Sequence, residues 1–224
     1  MKLSKRLKKI EQMVTPNYTH VWDCCCDHGF IGAALLSRQA AKTVHFVDIV
    51  PDLMAALEQK LQRFYPEATW KVHCQDVAKL PLNQYSGKQL VIIAGVGGDL
   101  MSELVEAIHQ DHQNSNIDFL LCPVNHQFTL RKTLIKQDFG LEHEVLIEDN
   151  RRFYEIMLVS STRGDREQVS AVGSNIWQSD STEQAEIATK YKNKTLGHYR
   201  RIQQGNTGDT NIQTIIDGYC AITV

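Results

Sequence analysis

The chain has 224 residues, of which 42% are hydrophobic and 22% are charged, and its formal net charge is −2 at pH 7. This is the composition of an ordinary globular protein that can bury a full core. No apolar run reaches the roughly 18 residues that span a bilayer, and the basic segment 1–10 lacks the apolar region of a secretory signal, so a cytoplasmic location is predicted.

Hydrophobic periodicity predicts the elements in chain order. Apolar residues at helical spacing predict a short amphipathic helix over residues 3–13, with several lysines on its other face. Strands are predicted at residues 20–24, 43–48, 70–74, 90–94, 117–122, 141–147 and 153–160, and helices at 29–38, 51–64, 98–110 and 127–138. This alternation predicts an α/β fold with a mostly parallel, seven-stranded sheet and helices on both faces.

The character of the chain changes after residue 160. Residues 161–166 are polar and predict a linker, residues 181–203 predict one long helix, and a short apolar run follows at 212–224. We therefore predict a main domain over residues 1–160 and a smaller, mainly helical region over 161–224.

Acidic residues follow three successive predicted strands. Asp23 lies near the end of the first strand, and an acidic turn leads from there to Gly29, where a helix begins. Asp48 follows the second strand and Asp76 the third. In open α/β sheets ligands bind at such strand ends, and an acid after the second strand can hold a ribose diol. Three acids in this order predict a site for a nucleotide-type cofactor.

The first turn distinguishes between cofactors. A dinucleotide site would need G-x-G-x-x-G after the first strand, but here the turn is C-C-C-D-H-G. Asp27 would repel a pyrophosphate, whereas S-adenosylmethionine carries an ammonium and a sulfonium group and no phosphate. Electrostatics therefore favour S-adenosylmethionine over NAD. After the fourth strand, Gly95, Gly97 and Gly98 let a ligand approach the backbone closely.

Two further features concern partners. The six cysteines show no C-x-x-C spacing, so we interpret them as reduced, small apolar residues and expect no metal site. Two basic clusters flank the acidic middle of the chain and make a polyanionic partner plausible. These clusters contain Lys2, Lys5, Arg6, Lys8 and Lys9 near the N-terminus, and Lys190, Lys192, Lys194, Arg200 and Arg201 near the C-terminus.

Residues 2 to about 160 resemble the bacterial tRNA adenine-N1 methyltransferases that modify position 22. The resemblance rests on five motifs in order: Leu3-Ser4-Lys5-Arg6-Leu7, Asp23-x-x-x-Asp27-His28, Ile93-Ala94-Gly95-Val96-Gly97-Gly98, Pro123 followed by Leu130-Arg131, and Arg152-Phe153-Tyr154-Glu155-Ile156. The chain departs from the family pattern at Cys25, which replaces a glycine, at Cys26, which replaces a Ser or Thr, and at Cys122, which replaces a glutamine.

The resemblance implies a Rossmann-like class I methyltransferase fold and methyl transfer from S-adenosylmethionine to N1 of an adenine in tRNA. Asp48 would hold the ribose, Asp76 and Val77 the cofactor adenine, and Gly95 to Gly98 the target base. The predicted cofactor-binding residues are Asp23, Cys25, Asp27, His28, Gly29, Asp48, Ile49, Asp76, Val77, Gly95, Val96 and Gly97. The predicted base-positioning residues are Asp27, His28 and Asn125. The predicted RNA contacts are Lys5, Arg6, Lys8, Lys9, Arg131, Lys192 and Lys194.

Three alternatives stay open from the sequence. Cys122 at a strand end could be the nucleophile for methylation of a pyrimidine C5, although no acidic partner is adjacent. Methylation of an exocyclic amino group lacks its usual N-P-P-Y type signature. A catalytically silent RNA-binding domain is suggested by the loss of glycine at Cys25. The sequence leaves the oligomeric state, a monomer or a weak dimer, undetermined.

Overall fold

The computed structural model describes residues 3–179, 181–205 and 210–224. Its strands are β1 (Tyr18–Cys24), β2 (Ala41–Asp48), β3 (Trp70–Cys74), β4 (Gln89–Ala94), β5 (Ile117–Cys122), β6 (Gly140–Asp149), β7 (Arg152–Ser160) and β8 (Glu167–Gln168). Its helices are α1 (Lys5–Met13), α2 (Phe30–Ser37), α3 (Pro51–Phe64), α4 (Gly98–Asp111), α5 (Gln127–Lys136), α6 (Thr182–Gly205) and α7 (Thr210–Cys220). The predicted alternation of strands and helices is confirmed.

All of these strands join one sheet in the order β3-β2-β1-β4-β5-β7-β6-β8. The first five in the chain are parallel, and β7, β6 and β8 pair antiparallel at one end. The sheet therefore has eight strands where seven were predicted. The additional strand, β8, has two residues and extends the edge beside β6, directly after the segment predicted as a linker.

The strand order reverses between β1 and β4, and this reversal places the functional crevice. β1 pairs with β2 on one side and with β4 on the other. The sheet therefore grows from β1 toward β2 and β3 on one side, and toward β4 and β5 on the other. Ligand sites of open α/β sheets lie at such a switch point, outside the carboxyl ends of the strands.

Both faces of the sheet are buried, which explains why β4 and β5 are nearly continuous apolar runs. Trp22 points to the face covered by α4 and α5, where it lies in one core cluster with Phe119. Its neighbour Val21 points to the face covered by α1, α2 and α3, in a second cluster with Phe46. Alternate residues of β1 thus serve two cores.

A row of imidazoles crosses the first three strands on one face. His45 of β2 lies 3.1 Å from His20 of β1 and 3.0 Å from His73 of β3, measured between ring nitrogens. Trp22 stacks on His45 with ring centroids 3.8 Å apart. Burial, followed by the neighbouring His73, His20 and Lys71, lowers the pKa of His45 to about 3.

The C-terminal helices are held to the sheet by a buried polar network around Arg131. The guanidinium of Arg131 is 0% exposed and donates to Glu155 over 2.7 Å and to Glu144 over 2.6 Å. Tyr191 of α6 donates to the other oxygen of Glu155 over 2.5 Å. Burial opposes ionisation of Glu144, but Arg131 and the N–H groups of Ser174 and Asn175 outweigh it and lower its pKa.

This network corrects one sequence prediction. Arg131 was predicted to contact RNA, but its guanidinium is enclosed by protein and paired with two carboxylates. The predicted division of the chain at residue 160 stays a prediction. An apolar cluster that includes Trp177 and Tyr219 packs the C-terminal region against Phe128 of α5 and Leu146 of β6.

We predict that Arg131→Met lowers the free energy of unfolding by about 3–5 kcal/mol, because two buried carboxylates lose their cation. Urea unfolding followed by circular dichroism measures this. The control is Lys132→Met, which makes the same change of charge at the neighbouring exposed position. Equal stability of the two variants would contradict a structural role for the network.

We also predict that buried His45 destabilises the protein as the pH falls below 6.5. The unfolded chain binds protons on its histidines near pH 6.5, whereas buried His45 resists protonation until about pH 3. Each excluded proton costs about 1.4 kcal/mol per pH unit below that point. In urea unfolding between pH 6.5 and 4.5, His45→Phe should reduce this slope, and His143→Phe at an exposed site should leave it unchanged.

Candidate functional site

A cavity of about 500 Å³ opens at the switch point between β1 and β4. Four parts of the chain form its walls: the turn after β1, the end of β4, the first turn of α1, and the β6–β7 turn. The lining residues include Arg6, Asp23, Cys25, Asp27, His28, Gly95, Asp149, Asn150 and Tyr154.

Asp23 fixes the shape of the turn after β1. Its carboxylate is buried and accepts a 2.8 Å hydrogen bond from the backbone N–H of Gly32, in the first turn of α2. Burial raises the pKa of Asp23 to about 7, the Gly32 N–H opposes this rise, and Asp48 adds to it. Gly29 precedes α2 with φ +68°, a conformation that favours glycine, and a Cβ there would lie 2.7 Å from Leu57.

The three consecutive cysteines take three different environments. Cys24 packs into the core under α4, and Cys26 packs into the opposite core, 3.9 Å from the sulfur of Met54. Cys25 is half-buried, lines the cavity, and has φ +53°. It therefore holds the left-handed backbone that a glycine would take at this position, where the resembled family has one. Burial raises the pKa of Cys25 to about 11, so its thiol stays protonated at neutral pH.

Asp48 joins the second strand to the turn after the first. One of its carboxylate oxygens accepts from the backbone N–H of Asp27 over 3.1 Å, and the other accepts from Val50 over 3.2 Å. The side chain of Asp27 is exposed and lies 3.7 Å from Nε2 of His28. The structure thus brings these predicted site residues of β1 and β2 together.

The ends of β2 and β3 continue the site beyond the cavity. Ile49 is 68% exposed directly after Asp48, and offers an apolar surface to a planar group. The backbone N–H of Gln75 donates to the carbonyl of Asp48 over 3.0 Å, which sets the two strand ends side by side. Asp76 accepts from the N–H of Ala78 over 2.9 Å and so caps a short helical turn in which Val77 is buried.

The loops after β4 and β5 pair with each other. The N–H of Val124 donates to the carbonyl of Val96 over 3.0 Å, and the N–H of Gly98 donates to the carbonyl of Asn125 over 3.0 Å. A Cβ at Gly97 would lie 2.7 Å from Oδ1 of Asn125, so a side chain at residue 97 would displace that amide. Asn125 therefore lies at the glycine-rich end of β4, as its predicted role requires.

Cys122 does not have the properties of a nucleophile. Its side chain is 1% exposed, and burial raises its pKa to about 12 against the opposing effect of Arg6. A buried, protonated thiol is a structural residue.

The sequence did not identify part of the cavity wall. Asp149 ends β6, Asn150 lies in the β6–β7 turn and Tyr154 lies in β7, more than a hundred residues beyond the turn after β1. Arg6 was predicted as an RNA contact, but its side chain lines the cavity. Tyr154 belongs to the motif Arg152-Phe153-Tyr154-Glu155-Ile156, and this motif was the one sequence feature that could have assigned it to the site.

The basic residues predicted to contact RNA differ in accessibility. Lys5 and Lys8 are exposed on α1, and Lys9 is partly exposed. On α6, Lys192 donates to the backbone carbonyl of Ile222, and Lys194 is exposed, with its ammonium 5.3 Å from the ring centroid of Phe153.

The described residues include neither a membrane-spanning helix nor a metal-binding cluster. No helix in residues 3–179, 181–205 and 210–224 combines the length and apolar character needed to cross a membrane. Within those ranges, no group of three or more His, Cys, Asp or Glu side chains is arranged to hold a metal ion.

Comparisons with known proteins agree with this architecture. The chain is 24% identical over 167 residues to the tRNA (adenine(22)-N(1))-methyltransferase of Bacillus subtilis strain 168, covering 75% of this chain and 68% of that protein. The structure of M. capricolum TrmK with S-adenosyl-homocysteine matches with a TM-score of 0.76 at 16% identity, over 98% of this chain and 97% of that chain. The structure of the B. subtilis M1A22 tRNA methyltransferase TrmK matches with a TM-score of 0.70 at 19% identity, over 98% and 94%.

These structural matches confirm the predicted Rossmann-like fold. They cover 98% of this chain and so include the C-terminal helices. A family model described as a methyltransferase domain matches residues 3–157, from α1 to β7. Since this match spans more than half of the chain, the protein belongs to the methyltransferase domain family.

Proposed function

We propose that the protein transfers a methyl group from S-adenosylmethionine to N1 of an adenine in tRNA. The observation that carries this proposal is the turn after β1, where the exposed carboxylate of Asp27 takes the place of a glycine-rich phosphate cradle and the turn is bonded to Asp48. Family membership supports methyl transfer, and similarity to the tRNA (adenine(22)-N(1))-methyltransferase of B. subtilis supports the tRNA adenine substrate.

The residues at the strand ends fit this cofactor. Asp48 would accept hydrogen bonds from the ribose hydroxyls, as acids after the second strand do in this class of sheet. Exposed Ile49 would pack on the cofactor adenine, with Asp76 and Val77 at its edge. The methionine end would lie beside Asp27 and His28, because an ammonium group is stabilised near a carboxylate and a phosphate is not.

Two further sets of residues complete the proposed cofactor site. Asp23 would hold the turn and would not contact the cofactor, since its carboxylate is engaged with α2. Cys25 and Gly29 would shape the wall, and Gly95, Val96 and Gly97 would form the floor.

The bound cofactor supplies an electrophilic methyl group on a sulfonium. N1 of adenine already carries a nucleophilic lone pair, so the protein's main task is to position that atom in line with the methyl group. The base must first leave its stack in the tRNA. Asn125, at the glycine-rich end of β4, and His28, at the cavity mouth, would contact the extruded base.

Lysines on α1 would contact the tRNA backbone. Lys5 and Lys8 are exposed, Lys9 is partly exposed, and α1 borders the cavity through Ser4, Arg6 and Leu7. On α6, Lys194 is exposed and stays a proposed contact, whereas Lys192 already donates to a backbone carbonyl. A cytoplasmic location would accord with a tRNA substrate and stays a prediction.

A catalytically silent RNA-binding domain was suggested by the cysteine at residue 25. The left-handed backbone at Cys25, with φ +53°, keeps the shape of the turn at a strain of about 1–3 kcal/mol. The departure from the family pattern therefore does not remove the turn that the cofactor requires.

We predict that the purified protein binds S-adenosylhomocysteine in calorimetry and methylates an unmodified tRNA transcript on N1 of adenine. Nucleoside analysis by mass spectrometry and primer extension identify the product and its position. A transcript with guanine at the modified position is the control. If the protein bound S-adenosylhomocysteine but methylated no tRNA, the proposed substrate would be wrong. If it did not bind S-adenosylhomocysteine, the proposed cofactor would be wrong.

We predict that Asp48→Ala weakens S-adenosylhomocysteine binding by about 1.5–3 kcal/mol, because charge-assisted hydrogen bonds to the ribose are lost. Calorimetry measures the affinity. Asp52→Ala, an exposed acid in the first turn of α3, removes the same charge nearby and should leave the affinity unchanged. Because Asp48 also holds the Asp27 N–H, thermal unfolding must show that the variant is folded. An unchanged affinity would identify a different ribose anchor.

A further inference from the structure

The N-terminal helix places one cation inside the cavity. Arg6 lies in the first turn of α1, and its partly buried side chain lines the cavity with Asp27 and His28. A Cβ added at Gly95 would lie 3.7 Å from Nη1 of Arg6, so the guanidinium lies over the end of β4. Among the described residues that line the cavity, Arg6 is the only lysine or arginine.

The position of Arg6 is fixed by its surroundings. Its backbone N–H donates to Asp149 over 3.0 Å, which ties α1 to the β6–β7 turn. Its guanidinium lies 5.0 Å from the ring centroid of Tyr154 and beside the thiol of Cys122. An aromatic face and a thiol orient a guanidinium without neutralising it.

The charge of Arg6 lacks a counterion in the part of the chain that the structure describes. No carboxylate there comes within 4.0 Å of its guanidinium, whereas Arg38, Arg131 and Arg166 each pair with a glutamate. A partly buried charge is costly unless it is paired. The cavity beside Arg6 therefore favours an occupant that brings an oxyanion.

Two of the charged side chains that line the cavity match the two charged groups of an α-amino acid. Asp27 supplies a negative charge for an ammonium group, and Arg6 supplies a positive charge for a carboxylate. A guanidinium can donate two parallel hydrogen bonds to a carboxylate, which also fixes its orientation. The methionine part of S-adenosylmethionine carries both of these groups on one carbon.

We propose that Arg6 binds the carboxylate of the methionine part of S-adenosylmethionine, so that the N-terminal helix forms part of the cofactor site. This inference rests on the proposed function. It replaces the sequence prediction that Arg6 contacts RNA, and it gives Tyr154 and Asp149 the role of holding the guanidinium and the helix in place.

Two nucleosides test the proposal by calorimetry. S-adenosylhomocysteine retains the amino and carboxylate groups, and 5′-methylthioadenosine lacks both. Arg6→Gln should weaken S-adenosylhomocysteine binding by about 10–100-fold, the effect of losing hydrogen bonds to a charged group. It should leave the affinity for 5′-methylthioadenosine unchanged. Arg6→Lys, which keeps the charge and loses the planar fork, should fall between Arg6→Gln and the wild type.

The control is Lys60→Gln, which removes one positive charge from an exposed position of α3 outside the cavity lining. It should change neither affinity. Equal weakening of both nucleosides by Arg6→Gln would overturn the proposal in favour of a structural role. Unchanged binding of both, with weaker tRNA binding, would overturn it in favour of a phosphate contact. If the wild type bound neither nucleoside, the proposed function itself would fail, and this inference with it.

Discussion

The hydrogen bond between Asp23 and the backbone N–H of Gly32 is the constraint on which the site depends. It joins the end of β1 to the first turn of α2. The Asp23 carboxylate is buried, and without a hydrogen-bond partner its burial would be strongly unfavourable. Between these two anchors the chain must reverse within a few residues. Cys25, Asp27 and Gly29 all take left-handed backbone conformations to do so.

That compact turn determines what the site can bind. It directs the N–H of Asp27 toward Asp48 and leaves the Asp27 carboxylate exposed at the mouth of the cavity. A glycine-rich turn would instead present several N–H groups to a phosphate. The same backbone reversal, made with other side chains, therefore changes the preferred ligand from an anion to a cation.

The opposite wall of the cavity comes from the two ends of the matched domain. The helix α1 begins at Ser4, whose hydroxyl accepts from the N–H of Leu7, and Asp149 accepts from the N–H of Arg6. These bonds bring the start of the chain against the β6–β7 turn. Beyond that turn, the network of Arg131, Glu144 and Glu155 fastens the C-terminal region to β6 and β7. The mouth of the cavity and the C-terminal helices are thus supported by the same pair of strands.

The sequence by itself determined the alternating elements, the parallel sheet and the order of acids at the strand ends. These features depend on local periodicity and on the residue that follows each strand, and Asp23, Asp48 and Asp76 all lie where that pattern puts them. Only the tertiary structure decided the roles of the basic residues. Arg131 and Arg6 look alike in sequence, but one is enclosed by two glutamates and the other faces a cavity, because burial and partners depend on strands far away in the chain. For the same reason the sequence could not assign the three consecutive cysteines. Cys24 and Cys26 pack into the cores on opposite faces of the sheet, and Cys25 lines the cavity.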